Sequence, residues 1–413
     1  MIKLGYSTFG LTDLPFLRAI EEVENAGYPG IELSFHRDQF NPFNISEDDL
    51  ENVRNKLARS KTKAACVATA SHFFTPSRPH EPSLMSIELA GRKRRIDLIK
   101  RGIKVARQLD VPIVSFGSGF IRDEHIHNPQ HNPFELLVGS INDCLADIHD
   151  QEDITLTIEP EPGMFIETME QGLELIRAVD SPKFRMHIDI LHAYCSENDY
   201  VQALAKAAPY TKYLHISDSQ LGFNLKLKEF SPELNYDFNF ARTLIYFPDT
   251  NDYFFVDPEN PVFFFQDSLN TLKERRIQEI LIKAKVNCEA KLVRYNDLYC
   301  GNSGFDDEIF VYAISVPGLS YDVLEGARPI IIYLRSTKTE NGKLYMDRMV
   351  ANSLTGVVHF HEIPGLGTLD FKNSFAALVN NGFEGYGSVE LYHHVKSWKK
   401  ALDDSLTHLS QFV

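Results

Sequence analysis

Residues 154–163 read ITLTIEPEPG and predict a short β-strand that ends in a carboxylate. Leu156 and Ile158 alternate with polar residues, which places them on one face of the strand and Glu159 on the other. The two prolines and the glycine that follow end the pairing. In a barrel of parallel strands, a carboxylate at the C-terminal end of a strand lies on the face that carries the chemistry.

Three further stretches repeat this pattern: FRMHIDILHAY at 184–194, KYLHISDS at 212–219 and GYGSVELYHH at 385–394. Their apolar residues again alternate with polar ones. Near the end of each strand, the polar face carries a side chain of a type that binds metal ions. These side chains are Asp189, His215 and Glu390. Glu159 completes the set, so four separate strands are predicted to present a ligand at the same face.

Strands and helices alternate from the first residues of the chain. Strands predicted at 2–7, GIELSF, AACVATASHF and VPIVSFGSG precede the strands of Glu159, Asp189 and His215, and amphipathic helices separate them. A series of strand–helix units with short apolar strands indicates a parallel sheet. Closed by an eighth strand that ends at Glu390, it predicts an α/β fold of the (β/α)8 TIM-barrel type.

The spacing of the four ligands predicts a long insertion after strand 7. Glu159 and Asp189 are about 30 positions apart and Asp189 and His215 about 26, whereas His215 and Glu390 are about 175 apart. We therefore expect barrel segments at 1–220 and 359–413 around an inserted α+β domain at 221–358, with an amphipathic helix over 266–287 and antiparallel strands after it. A lid, an oligomer contact and a partner-binding module remain open as its role.

Composition and charge exclude several classes of function. The 413 residues are 43% hydrophobic and 24% charged, as in ordinary globular proteins, and carry a formal net charge of −15 with a pI near 5.5. Such an acidic chain argues against a nucleic-acid or anionic-membrane partner. Five scattered cysteines without C-x-x-C spacing, and no long apolar run, favour a cytoplasmic protein.

The four side chains are suited to one divalent cation. Two glutamates, an aspartate and an imidazole make an oxygen-rich site that favours Mn²⁺ or Mg²⁺, with Co²⁺ or Zn²⁺ as alternatives. Each residue alone would equally fit a hydrogen-bonded polar group of the barrel interior. Glu161 follows Pro160 outside the strand and is the weaker candidate, while His125 and His394 are expected to be solvated.

The stretches GIELSF, ITLTIEPEPG, HIDILHAYCSEND, YLHISDS, HEIPGLGTLDF and GYGSVELY resemble the xylose isomerase-like TIM-barrel superfamily. That superfamily contains sugar isomerases, ketose 3-epimerases, dehydratases and endonuclease IV. The resemblance implies that one metal ion is bound by Glu159, Asp189, His215 and Glu390. It also implies that four further residues contact either the metal ligands or the substrate: Glu32, His72, His192 and His361.

These expectations lead to a hypothesis of function. A divalent ion that chelates a hydroxy-ketone would let Glu159 and Glu390 move protons through a metal-bound enediolate, as in an isomerase or epimerase of a small carbohydrate-like substrate. The alternatives are a dehydratase of the same substrate class, an endonuclease IV-like phosphodiesterase and a non-catalytic barrel whose insertion serves assembly, for example into a homo-oligomer. The endonuclease pattern requires a histidine at the end of strand 4, where this chain has SFGSG, and an aspartate at the position of His359.

Overall fold

A computed structural model describes residues 1–69, 73–74, 80–120, 125, 128–162, 164–197, 199–219 and 361–413, and the backbone of six short strands between residues 244 and 330. The strands are, in chain order, β1 Ile2–Ser7, β2 Gly30–Ser34, β3 Lys63–Ala68, β4 Ile113–Gly117, β5 Thr155–Glu159, β6 Phe184–Asp189, β7 Thr211–Ile216, β8 Leu244–Phe247, β9 Asp252–Phe255, β10 Val262–Phe263, β11 Glu289–Arg294, β12 Phe310–Ser315, β13 Arg328–Ile330 and β14 Gly385–Val389.

Eight of these strands close a barrel. Their order around it is β1-β14-β7-β6-β5-β4-β3-β2, and neighbouring strands pair in parallel. Each strand follows its predecessor around the cylinder, and β14 closes it between β7 and β1. The predicted (β/α)8 TIM barrel is confirmed.

Helices connect the barrel strands. They are α1 Phe16–Ala26, α2 Glu47–Arg59, α3 Leu89–Leu109, α4 Pro133–Leu145, α5 Met169–Val179, α6 Ile190–Ser196, α7 Tyr200–Ala207, α8 Phe371–Asn380 and α9 Trp398–Leu409. Local signals explain two of their ends: Ser46 and Asp49 form a capping box at α2, and Gly27, at a φ of +96°, ends α1. Among the described helices, none combines the length and the apolar composition of a membrane crossing.

Strand alternation separates the core from the site. Apolar side chains such as Leu156, Ile188 and Leu214 are fully buried in the main hydrophobic cluster with residues of the helices. The intervening polar side chains point into the barrel, because Glu32 on β2 contacts His215 on β7 although these strands are not neighbours in the sheet. Burial of the apolar face, at about 25 cal/mol per Å², thus fixes which residues meet inside.

The strands β8 to β13 form two antiparallel groups, with orders β13-β8-β9 and β10-β12-β11. The predicted helix over 266–287 lies outside the described residues. The division into 1–220, 221–358 and 359–413 therefore stays a prediction.

The described residues on either side of the predicted insertion pair with each other. Asp218 and Glu362 form an isolated antiparallel bridge, in which each N–H donates to the carbonyl of the other at 2.8 and 2.9 Å. Two backbone segments that pair in this way can be joined by a short loop.

Replacing residues 221–358 by a short Gly–Ser linker is therefore expected to leave the barrel folded. Circular dichroism during thermal unfolding should show one cooperative transition, because the core described above lies in the barrel segments. A protein without a cooperative transition would contradict the predicted domain division.

Candidate metal centre

The four predicted ligands lie at the C-terminal end of the barrel. Glu159 and Asp189 end β5 and β6, His215 lies near the end of β7, and Glu390 directly follows β14. His215 Nδ1 lies 3.1 Å from Glu159 Oε1 and 3.6 Å from Glu390 Oε2. Asp189 adjoins this group through His192, whose Nδ1 and Nε2 lie 3.6 Å from Glu159 Oε1 and from Asp189 Oδ2.

Glu32 holds the His215 ring from behind. Its Oε2 lies 2.7 Å from His215 Nε2, and its Oε1 accepts hydrogen bonds from Ser7 and Ser34 at 2.7 and 3.0 Å. Burial opposes ionisation of Glu32, but the attraction of His215 and these hydrogen bonds outweigh it and lower its pKa. With Nε2 held by Glu32, Nδ1 faces Glu159 and Glu390, and a cation that displaced the Nδ1 proton would find the geometry of a histidine ligand with an outer carboxylate.

The buried carboxylates around His215 outnumber the cationic side chains beside them within the described residues. Burial raises the pKa of Glu159 to about 7 and that of Glu390 well above its ordinary value. Burial alone would lower the pKa of His215, yet the surrounding carboxylates Glu32, Glu390 and Glu159 raise it strongly. One imidazolium cannot offset this many buried carboxylates, so the pocket favours a further cation.

Asp189 offers an oxygen to such a cation. Its Oδ1 accepts a hydrogen bond from the N–H of Leu191 at 2.7 Å, while its buried Oδ2 has no hydrogen-bond partner in the described part of the chain. A buried acceptor without a partner costs about 1–3 kcal/mol unless a ligand satisfies it. Within the described residues, three groups of side chains lie close enough together to hold an ion: Glu159–His187–His215, Glu32–His215–Glu390 and Asp189–His192–His361. The residues present therefore fit a divalent metal ion, and Asp189 lies in a different group from the other three predicted ligands.

Of the four residues expected to contact the metal ligands or the substrate, three lie against the predicted metal ligands. His361 Nδ1 is 3.4 Å from Glu390 Oε2, and His192 is kept neutral because burial lowers its pKa to about 3. Glu32 has no exposed surface, so it contacts His215 and not the mouth of the barrel. His72 lies outside the described residues.

His187 is a site residue that the sequence analysis missed. Its Nδ1 is 2.6 Å from Ser115 Oγ and 3.7 Å from Glu159 Oε2, and its ring packs edge-on against that of His215 with centroids 4.1 Å apart. It lies two residues before Asp189 on β6, so the alternation that identified Asp189 would have placed it on the same face.

Two other expectations about single residues were wrong. His125 and His394, expected to be solvated, are buried, with 5% and 3% of their surface exposed. Glu161, the weaker candidate ligand, lies 3.5 Å from His80 Nε2. Removal from water raises its pKa to about 8, with a smaller contribution from the charge of Asp189.

The closed barrel and the cluster of carboxylates and histidines at its C-terminal end define a TIM-barrel protein with a candidate divalent-metal centre. The chain belongs to the xylose isomerase-like TIM barrel family, whose family model matches residues 20–244. The resemblance inferred from the sequence is thereby confirmed.

Individual relatives include sugar epimerases. A probable ketose 3-epimerase from Synechocystis sp. (strain ATCC 27184 / PCC 6803 / Kazusa) is 24% identical over 226 residues, which are 52% of this chain and 71% of the relative. The solved structure of IOLI protein with a binding zinc atom matches with a TM-score of 0.52 at 13% identity and covers 100% of this chain and 99% of that one. A D-tagatose 3-epimerase-like protein matches with a TM-score of 0.45 at 18% identity, over 55% of this chain and 80% of its own. At these identities the structural matches show the fold alone.

Mn²⁺ is expected to stabilise the protein, because an ion that neutralises the buried carboxylates binds the folded state only. At a free concentration 100 times Kd the free energy of unfolding rises by about 2.7 kcal/mol, which thermal unfolding measures. Glu159→Gln should remove most of this gain, whereas Glu174→Gln on the exposed face of α5 should keep it. Equal stabilisation of Glu159→Gln and Glu174→Gln by Mn²⁺ would contradict the assignment of Glu159 as a metal ligand.

The affinity for Mn²⁺ is expected to rise with pH. Because the pKa of Glu159 is raised to about 7 in the metal-free protein, a proton competes with the ion below that pH. Metal binding then releases at least one proton, and calorimetric titration should show affinity increasing by about tenfold or more per pH unit below pH ~7. An affinity that is constant from pH 5.5 to 8 would contradict this assignment.

Proposed function

We propose that the protein is a divalent-metal-dependent isomerase or epimerase of a small sugar, sugar acid or polyol-derived ketone. The observation that carries the proposal is a difference in exposure within the ligand set. Glu159 and Glu390 keep 15% and 13% of their side-chain surface exposed, whereas Asp189 keeps none. Two carboxylates that can reach a substrate therefore flank the ring of His215.

The metal centre and the acid–base pair share residues. Glu159, Asp189, His215 and Glu390 would hold the ion, and Mn²⁺ or Mg²⁺ is favoured because three of these four ligands offer oxygen. When bound, the ion supplies Lewis-acid polarisation of a substrate carbonyl. Asp189 has no exposed surface, so we assign it to metal binding alone.

Proton transfer is assigned to the two exposed carboxylates. Glu159 takes the proton from the carbon next to the carbonyl, and the electron pair of that C–H bond forms the enediolate. Glu390 returns a proton to the opposite face of the same carbon in an epimerase, or to the neighbouring carbon in an isomerase.

We assign His192 and His361 the substrate-orienting role that the family resemblance implies. Each lies within 4 Å of a ligand carboxylate: His192 Nε2 is 3.6 Å from Asp189 Oδ2, and His361 Nδ1 is 3.4 Å from Glu390 Oε2. A neutral imidazole donates one hydrogen bond and accepts another, which matches the hydroxyl groups of a carbohydrate.

A dehydratase of the same substrate class is the second candidate, and Glu161 favours it. The first half of the reaction is shared, after which the enediolate expels a β-hydroxyl that needs a proton. Glu161 is protonated at neutral pH, because burial raises its pKa to about 8, and it lies two residues beyond Glu159. It could protonate the departing hydroxyl.

Solvent-deuterium exchange tests the proposal before a substrate is known. The Mn²⁺-loaded protein, incubated in D₂O with a panel of ketoses and keto-inositols, is expected to incorporate deuterium next to the carbonyl, which NMR detects. Glu159→Gln and Glu390→Gln should each lower the rate by about 10²- to 10⁴-fold, the usual contribution of general acid–base catalysis. Glu174→Gln is the matched control and should exchange at the wild-type rate.

Metal content separates the remaining alternatives. The proposal expects one ion per chain by elemental analysis, whereas an endonuclease IV-like phosphodiesterase would hold three zinc ions and a non-catalytic barrel none. Asp189, His192 and His361 form a second group that could hold a metal, so this count is informative. Three zinc ions, or no exchange with any ketone at full metal occupancy, would contradict the proposed activity.

A further inference from the structure

One carboxylate ties the chain that follows the predicted insertion to the end of β7. We name residues 361–369 the return segment. Asp218, two residues after β7, accepts backbone hydrogen bonds at both of its oxygens. The donors are the N–H groups of Ser219 at 2.8 Å and Leu369 at 3.0 Å to Oδ1, and of Gly365 and Gly367, both at 2.9 Å, to Oδ2. Three of the four donors belong to the return segment.

The return segment is shaped around this carboxylate. Gly365 has a φ of +95°, a conformation that favours glycine. A Cβ on Gly367 would collide with the Asp218 carboxylate and with the carbonyl oxygen of Ser219. Asp218 is 1% exposed, so these hydrogen bonds form away from water, where bonds to a charged acceptor are strong.

We call the four hydrogen bonds to the Asp218 carboxylate the clamp. The return segment that the clamp holds begins at a site residue, His361. Glu362 pairs with Asp218 through two backbone hydrogen bonds, and its Oε1 lies 3.1 Å from Nε2 of the buried His394. His361 directly precedes Glu362, and its Nδ1 lies 3.0 Å from the carbonyl oxygen of Glu390. The same ring faces the cluster, with Nε2 3.9 Å from Asp189 Oδ2.

We propose that Asp218 is a positioning residue that holds His361 in the site. His361 follows Asp218 by about 140 positions in the sequence, and most of those positions belong to the predicted insertion. The clamp fixes the return segment to the barrel itself, so the position of His361 is set by β7. The catalytic consequence rests on the proposed function, whereas the clamp is a property of the fold.

Asp218→Asn in the full-length chain tests the clamp directly. The amide nitrogen of asparagine would face N–H donors in place of a carboxylate oxygen, so the return segment should open more often. Hydrogen–deuterium exchange of a peptide covering 361–369 is expected to become about tenfold faster. Gly367→Ala, which crowds the same carboxylate from the other side, should give the same change. Asp370→Asn, an equal loss of charge at the cap of α8, should leave the exchange unchanged.

A double-mutant cycle separates positioning from general destabilisation. If Asp218 acts through His361, Asp218→Asn lowers kcat/KM about tenfold in the wild-type background and less than about twofold when His361→Ala is already present. A protein with no turnover would count against the proposed function, while faster exchange in both clamp variants would still support the clamp. Unchanged exchange in Asp218→Asn and Gly367→Ala, or an equal loss of kcat/KM in both backgrounds, would overturn the inference.

Discussion

The contact between Glu32 and His215 is the interaction on which the site depends. It joins β2 to β7 across the barrel interior, and hydroxyl groups of Ser7 and Ser34 fix the carboxylate that makes it. With its Nε2 held at 2.7 Å from Glu32, His215 turns Nδ1 toward Glu159 and Glu390. Carboxylates that would repel each other in isolation are thus gathered around one oriented ring, and the charge left over favours a divalent cation.

Much of the fold and the ligand set could be predicted from the sequence, because both follow from strand alternation. Leu156 and Ile158 face the helices, so Glu159 faces the interior, and the same alternation places Asp189 and His215. These residues lie on strands whose register is fixed by a large buried face. Element type and order were therefore predictable.

The parts that the sequence did not predict depend on contacts between distant segments. His394 is buried where it pairs with Glu362, and Glu161, on the loop after β5, lies against His80 on the loop after β3. No local periodicity encodes such contacts. His187 is a different case, because strand alternation on β6 predicts that it faces the interior with Asp189.

The arrangement also explains how a barrel can tolerate a long interruption after β7. Asp218 and Glu362 pair on either side of the predicted insertion, so the chain re-enters the barrel beside the end of β7. Within the described residues, the catalytic face is built from barrel strands and the short segments that follow them. The role of residues 221–358 as lid, oligomer contact or partner-binding module is a separate question from the chemistry at the barrel mouth.

The central claim is that four side chains from β5, β6, β7 and the residue after β14 share one cation. Anomalous diffraction from crystals grown with Mn²⁺ tests it most directly. The account predicts a single strong peak within about 2.5 Å of an oxygen of Glu159, Asp189 and Glu390 and of His215 Nδ1. A peak elsewhere in the molecule, or no peak at a Mn²⁺ concentration that saturates binding in solution, would contradict it.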